Sequence, residues 1–321
     1  MTVGHRFDIG IVGAGPVGSY TAWRLARLGF SVALLEEHSE AGRPEQCAGL
    51  VNRGMFELPG LHGILEDVGL HDITGADIFS PSGKILPLRA GKVKAVSIDR
   101  ALFDKTLFIQ AASSGAELFP SSKVTSVRTL QGTHELSFDG INGKGSMKVD
   151  MLIGSDGAAS TIRRIMGFEK PLSVIPGAAI QVEVDAGSVP DDLVAVFTGE
   201  RTAKGFFAWA VPAGSKTTMR IGLASETGAH LQRGLRSLFS DHRIFSWLGL
   251  ENGSTCNLDP ISWNFGPVPM GSPKTIIKER TVILGDASGM AKPTSGGGIY
   301  PGLMASDKLA SSIEEKGEPD Q

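Results

Sequence analysis

Cysteine is nearly missing from this chain of 321 residues: only Cys47 and Cys256 occur. Two thiols cannot make a disulfide framework, so a reducing, cytoplasmic setting is the expectation. Neither sign of charge dominates. The 31 Lys and Arg face 34 Asp and Glu, a net charge of -3, which leaves no basic field to attract nucleic acid. No apolar run approaches the ~18–20 residues that span a bilayer. Met1 to Asp8 lacks the charged-then-apolar pattern of a signal peptide. The 7 histidines show no metal-ligand spacing and no Cys/His cluster exists, so no metal is implied. Hydrolase elbows of the Gly-x-Ser-x-Gly kind, internal repeats and low-complexity linkers are missing too. With 41% hydrophobic and 20% charged residues the composition is that of a folded protein of about two domains. What the chain has in excess is glycine, 42 residues and much of it clustered. Clustered glycine means backbone approaching something closely.

Phe7 to Val12 is a short apolar run that enters Gly13-Ala14-Gly15-Pro16-Val17-Gly18, which predicts a strand, a tight turn and a helix. Pro16 suits a first helical turn, and Ala22, Leu25, Ala26 and Leu28 give that helix its buried stripe. Ser31 to Leu35 reads as a second strand, closed by Glu36 and Glu37. Further on, Ile98 to Ser114 looks helical after Asp99, and the segments 124–127, 135–138 and 149–154 look like a small meander. Between Pro171 and Met270 the runs at 181–184, 193–197, 206–211 and 219–223 alternate with period two, the pattern of antiparallel sheet. Leu231 to Leu250 reads as one amphipathic helix carrying Arg233, Arg236, Arg243 and Trp247. Such a helix either packs on its own domain or lies on a membrane surface, giving peripheral contact. Thr281 to Leu284 returns to a buried strand, with a helix starting near Gly297.

The fold class expected is therefore α/β: a Rossmann-like nucleotide-binding domain interrupted by a mainly antiparallel α+β domain. The boundaries drawn are 1–74, 97–168 and 276–321 for the first, with 75–96 and 169–275 for the second.

The spacing Gly13-x-Gly15-x-x-Gly18 gains its force from context, because a strand precedes it, a helix follows and Glu36 closes the next strand. The glycines permit the turn, the approach of a pyrophosphate and the packing of helix on strand. Free N–H groups and the positive end of the helix dipole suit the phosphates. Glu36 can accept hydrogen bonds from ribose hydroxyls, which points to a dinucleotide with an unphosphorylated ribose. The alternative is a glycine-rich turn with an incidental acid. FAD is preferred to NAD because of the distal end, where Gly285-Asp286-Ala287 follows a buried strand and Pro293 to Ile299 forms a glycine-rich helix start. An acid there can bind ribityl hydroxyls, and the helix start can hold negative charge on a reduced flavin.

The amino-terminal fingerprint, Asp99-Arg100, Asp156-Gly157-x-x-Ser160-x-x-Arg163 and Gly285-Asp286-Ala287 together resemble the glutathione-reductase-type FAD fold of aromatic hydroxylases and their relatives. Within it, Pro44-Glu45-Gln46-Cys47-Ala48-Gly49-Leu50, Phe207-Ala208-Trp209-Ala210-Val211-Pro212 and Pro293-Thr294-Ser295-Gly296-Gly297-Gly298-Ile299 are similar to the geranylgeranyl reductase family. Val211 stands where that family has Phe. The resemblance implies FAD contacts from Gly13, Ala14, Gly15, Gly18, Glu36, Cys47, Ala48, Gly49, Arg100, Val124, Asp286, Gly298 and Ile299. For Arg100 the alternative is a solvated arginine at a helix start. Cys47 is the candidate catalytic residue, against a reading as a small buried hydrophobe. Cys256 is assigned nothing. Phe206, Phe207 and Trp209 are candidate walls of a substrate tunnel, Phe207 and Trp209 foremost, or else ordinary strand core. The implied activity is saturation of C=C bonds in isoprenoid chains of membrane-lipid precursors by hydride from reduced FAD. Electrons would come from NAD(P)H or a ferredoxin. Competing readings are an FAD monooxygenase of small aromatics and a non-catalytic flavin or lipid carrier.

Overall fold

A computed structural model describes residues 5–43, 47–183, 190–214, 218–226, 228, 231–238, 241–248 and 262–315. Cys256 lies outside these residues, as does Phe239 of the expected long helix. The chain divides into two compact units, one of Met1–Arg43, Ala101–Val174 and Pro269–Gln321, the other of Pro44–Arg100 and Ile175–Val268.

In the first unit the strand His5–Val12 lies at the centre of an eight-stranded sheet. It pairs in parallel with Gly143–Gly154 on one side and Val32–Leu35 on the other. Glu117–Phe119 extends the parallel row beyond Val32–Leu35, and Thr281–Ile283 extends it beyond Gly143–Gly154. Strands that are covered on both faces read as continuous apolar runs, and Val32–Leu35 is buried at every position. Lys123–Leu130, Thr133–Gly140 and Gly143–Gly154 form the expected meander. Phe7, Val12, Leu35, Leu136, Val149, Ile162 and Ile283 share one core cluster.

The second unit holds a seven-stranded sheet in the order Ser262–Met270, Ser173–Glu183, Thr218–Ala224, Phe207–Pro212, Leu193–Thr198, Gly75–Phe79, Ile85–Arg89. Thr218–Ala224 pairs antiparallel with Ser173–Glu183 and with Phe207–Pro212, as do Phe207–Pro212 with Leu193–Thr198 and Gly75–Phe79 with Ile85–Arg89, whereas Leu193–Thr198 runs parallel to Gly75–Phe79. A three-stranded sheet joins Leu50–Asn52, Ala95–Ile98 and Gly69–Ile73. Residues 47–74 and 97–100, expected with the nucleotide domain, thus fall in the second unit. Leu50–Asn52 finds its strand partner in Ala95–Ile98, and that pairing decides where the segment belongs.

The expected helix 231–250 is two short ones, Leu231–Leu238 and His242–Trp247. Asp241 caps the second by accepting from the Arg243 N–H. Leu235, Leu238, Ile244 and Leu248 are buried in the core of this unit, and Arg243 is buried with them. Its guanidinium pairs with Asp241 and donates to the Ser80 carbonyl at 2.8 Å. The apolar stripe is spent on the protein's own sheet, and Arg243 is no part of a solvated basic face.

In the first unit His134 is wholly buried between the hydroxyls of Thr129, 2.9 Å from Nδ1, and Thr281, 3.3 Å from Nε2. Burial, opposed by backbone hydrogen bonds at Glu279 and Arg280, pushes its pKa below the ordinary 6.5. The unfolded chain then takes up a proton that the folded chain refuses. Stability contributed by neutral His134 is therefore present above pH 6.5 and lost as the pH falls below it. The loss is at most about 1.4 kcal/mol per pH unit. Urea unfolding between neutral and mildly acidic pH checks this: His134→Gln should flatten the decline, and parallel curves for the two proteins would refute it.

Candidate active site

The turn between His5–Val12 and the helix Pro16–Arg27 is held by main chain and by a few side-chain oxygens. Gly13 N–H donates to the Leu35 carbonyl at 2.8 Å, and Ser155 Oγ donates to the Gly13 carbonyl at 2.9 Å. A Cβ at Gly18 would collide with the Gly13 carbonyl oxygen and with Ser155 Oγ. At Gly15 the opposite holds, for a Cβ there would meet nothing within 4 Å. Gly15 caps the helix without any side-chain hydrogen bond, so the turn presents bare backbone to open space. That is the cradle a pyrophosphate requires. Glu36 stands beside it: its Oε2 accepts from Ala14 N–H at 2.7 Å and its Oε1 from His38 N–H at 3.0 Å and from His38 Nδ1 at 2.7 Å, which leaves a lone pair on Oε2 for a ribose hydroxyl.

The distal motif closes on the same helix. Gly302, in the helix Ile299–Glu315, sits where a Cβ would be 2.5 Å from Val17 Cγ2 and 3.3 Å from Gly285 Cα. The two glycine motifs, far apart in sequence, therefore meet across Val17. Asp286 is exposed in the turn Gly285–Ser288, and a Cβ on Gly298 would be 2.7 Å from its Oδ1. Gly298 and Ile299 thus start their helix directly against the Asp286 carboxylate, which can take a ribityl hydroxyl.

Asp156 does structural work. Its Oδ1 accepts from Ser160 Oγ at 2.5 Å and its Oδ2 from the N–H groups of Thr161 and Ile162. Burial pushes its carboxyl up, while these donors pull it back down. Arg163 then donates to the Ala287 carbonyl at 2.9 Å and steadies the turn that carries Asp286. Val124 is only 4% exposed and its side chain belongs to the core, so a cofactor contact there falls to its main chain. Arg100 opens the helix Arg100–Ser113.

In the second unit the Cys47 loop is built against the large sheet. Cys47 Sγ, half-buried, accepts from Gly49 N–H at 3.3 Å, and the Gly49 carbonyl accepts from Ile98 N–H at 2.8 Å. Gly49 has φ +70, and a Cβ there would collide with the guanidinium of Arg220. Arg220, 4% exposed, donates to the Ala48 carbonyl at 3.0 Å and to Gln181 Oε1 at 3.2 Å. Arg220, which holds the loop carrying Cys47, is not singled out by the sequence reading; its one local signal is a charge inside the buried strand Thr218–Ala224.

The same sheet face carries Trp209, whose ring leaves no room for a Cβ on Gly222 of the next strand. Phe206 and Phe207 stack at 4.3 Å, and Phe207 meets Trp209 edge-on at 6.0 Å. Trp209 also packs against the buried cluster of Ile73, Val194 and Val211. The Trp209 Nε1–H is buried without a hydrogen-bond partner among the described residues. Such an orphan costs about 1–3 kcal/mol unless a ligand answers it.

A family model described as FAD binding domain matches residues 6–318. The chain belongs to that family. It is 27% identical over 319 residues to the digeranylgeranylglycerophospholipid reductase of Methanococcus vannielii, covering 97% of this chain and 79% of that one. It is 29% identical over 300 residues to digeranylgeranylglycerophospholipid reductase 2 of Methanothermobacter thermautotrophicus, covering 92% and 74%. Among solved structures, a geranylgeranyl bacteriochlorophyll reductase-like protein from Thermoplasma acidophilum has TM-score 0.84 at 24% identity, covering 97% of this chain and 79% of that chain. The fold is thus shared along nearly the whole chain, and the family's cofactor fits the cradle at Gly15. The protein is thus an FAD binding domain protein that is similar, along nearly its whole length, to digeranylgeranylglycerophospholipid reductases.

Gly15 has φ -65 and ψ -178, extended backbone that any residue adopts. Gly15→Val should therefore fold normally and yet lose FAD affinity by about a hundredfold or more, because its side chain fills the pyrophosphate's space. Flavin content and the melting point of the FAD-free protein check this. Full flavin retention would remove the cradle from the site.

Proposed function

We infer that the protein saturates C=C bonds of geranylgeranyl chains on membrane-lipid precursors. What carries the reading is the pairing, within one unit, of a thiol loop with an aromatic, apolar sheet face: Cys47 with its loop fixed by Arg220, and Trp209 and Phe207 on the sheet. An isoprenoid chain offers no polar handle along its length, so only apolar walls can hold it. The named activity of the two reductase relatives supports the same substrate class for this chain.

Saturating an alkene takes a hydride on one carbon and a proton on the other. Bound and reduced, FAD supplies the hydride. Gly13, Gly15, Gly18, Glu36 and Asp286 hold the cofactor, and the Cys47 thiol delivers the proton from Sγ. Because Sγ accepts from Gly49 N–H, its own proton is left to point away from that bond. Trp209 and Phe207 exclude water and orient the chain. The electrons for each turnover would come from NAD(P)H or a ferredoxin.

The test is anaerobic single turnover: dithionite-reduced protein is mixed with a geranylgeranylated lipid, flavin reoxidation is followed, and the lipid is weighed by mass spectrometry. The wild type should reoxidise as the lipid gains two hydrogens per double bond. Cys47→Ala should keep FAD and slow this step by about 10²–10⁴-fold, the usual contribution of a positioned acid. A loss of only a few-fold would make Cys47 a positioning residue. Unchanged rates would return it to packing, and an unaltered lipid would sink the reductase reading. Oxygen-dependent NAD(P)H consumption stimulated by a small aromatic would favour the hydroxylase instead.

A further inference from the structure

The open edge of the seven-stranded sheet is the strand Ile85–Arg89, hairpinned to Gly75–Phe79 and exposed at every position. Ile85 is 54% exposed, Leu86 58% and Leu88 46%. Side chains alternate along a strand, so Ile85 lies on one face of the hairpin and Leu86 and Leu88 on the other. A flat protein partner would cover one face and leave the second wet. Apolar groups on both faces suit a hairpin that enters an apolar phase edge-on.

Strand addition from another protein is disfavoured at this edge. Ser80 N–H donates to the Lys84 carbonyl and Ala90 N–H to the Thr74 carbonyl, each at 2.9 Å. Alternation from these bonded pairs makes Asp77 and Pro87 a non-bonded pair, so the nitrogen of Pro87 faces outward. The middle donor of the free edge is therefore missing.

Charge selects among apolar phases. Residues 78–98 contain Lys84, Arg89, Lys92 and Lys94 and no Asp or Glu, and all four cations are exposed. Arg89 is paired with Asp77 at 2.7 Å, whereas no salt bridge holds the three lysines among the described residues. A second copy of the chain would bring the same cations against these. An anionic lipid surface complements them, with apolar side chains below the headgroups and lysines at their level.

We propose that the hairpin Gly75–Arg89, with Lys92 and Lys94 beside it, docks the protein on anionic membrane. This goes beyond the reductase reading and does not depend on it. No described helix is long and apolar enough to cross a membrane, so the hairpin acts as a peripheral contact.

FAD-loaded protein is sedimented with vesicles of phosphatidylcholine plus phosphatidylglycerol, or of phosphatidylcholine alone, neither containing an isoprenoid chain. The wild type should pellet with the anionic vesicles and much less with the neutral ones, and added salt should release it. Ile85→Ser, Leu86→Ser and Leu88→Ser combined should lower partitioning by about tenfold or more, as should Lys84→Glu, Lys92→Glu and Lys94→Glu combined. Flavin content and melting temperature of both variants should match the wild type. Wild type that stays in solution with both vesicles overturns the proposal, as do folded variants that pellet like the wild type. So does a wild-type dimer, seen by light scattering, that the variants dissolve.

Discussion

Backbone packed too closely for any side chain is the constraint on which the first unit depends. Gly18 presses on the Gly13 carbonyl, and Gly302 presses on Val17 and Gly285. These contacts bring the helix Pro16–Arg27 against the strand turn on one side and the helix Ile299–Glu315 on the other. A helix that could not approach so near would not bring Asp286 and Gly298 to the fingerprint that binds the other end of the cofactor. Asp156 and Arg163 then fasten the result, the first by capping a short helix and the second by reaching the Ala287 carbonyl.

The second unit relies on a different device. Arg220 is a cation taken almost wholly out of water, an arrangement that costs several kcal/mol unless its donors are satisfied. It is satisfied in part by the Ala48 carbonyl, so the position of the Cys47 loop is tied to the sheet through a charge-assisted bond. Gly49 is needed because the guanidinium occupies the space of its missing side chain. The Cys47 loop and the aromatic sheet face are consequently joined through Arg220, with Trp209 lying over Gly222 on the same face. Val211 is buried in the cluster against which Trp209 packs.

Whatever was encoded by local spacing could be read from the sequence. The glycine fingerprint, Glu36, the period-two strands and the Asp286 turn follow from residues adjacent in the chain, and the structure forms each element as expected. Contacts between distant residues were not legible: Arg220 against Ala48, Gly302 against Val17, and the strand pairing that carries 47–74 into the second unit. The amphipathic stretch at 231–250 misled because its period is helical throughout, while the Asp241 cap that starts a second helix is a single side-chain hydrogen bond. Asp156-Gly157 carried no label separating a cap from a ligand contact. Its oxygens are taken by Ser160 Oγ and by the N–H groups of Thr161 and Ile162.

The central claim is that the two ends of the chain build one FAD site through the contact of Gly302 with Val17. FAD affinity, measured by quenching of flavin fluorescence, tests it with a compensating pair. Gly302→Ala should weaken FAD binding about tenfold or more, since its methyl would push the distal helix off Val17. Val17→Ala in the same chain removes the clash and should return the affinity close to that of the wild type. Gly302→Ala binding FAD as tightly as the wild type, or a double variant no better than the single one, would contradict the claim.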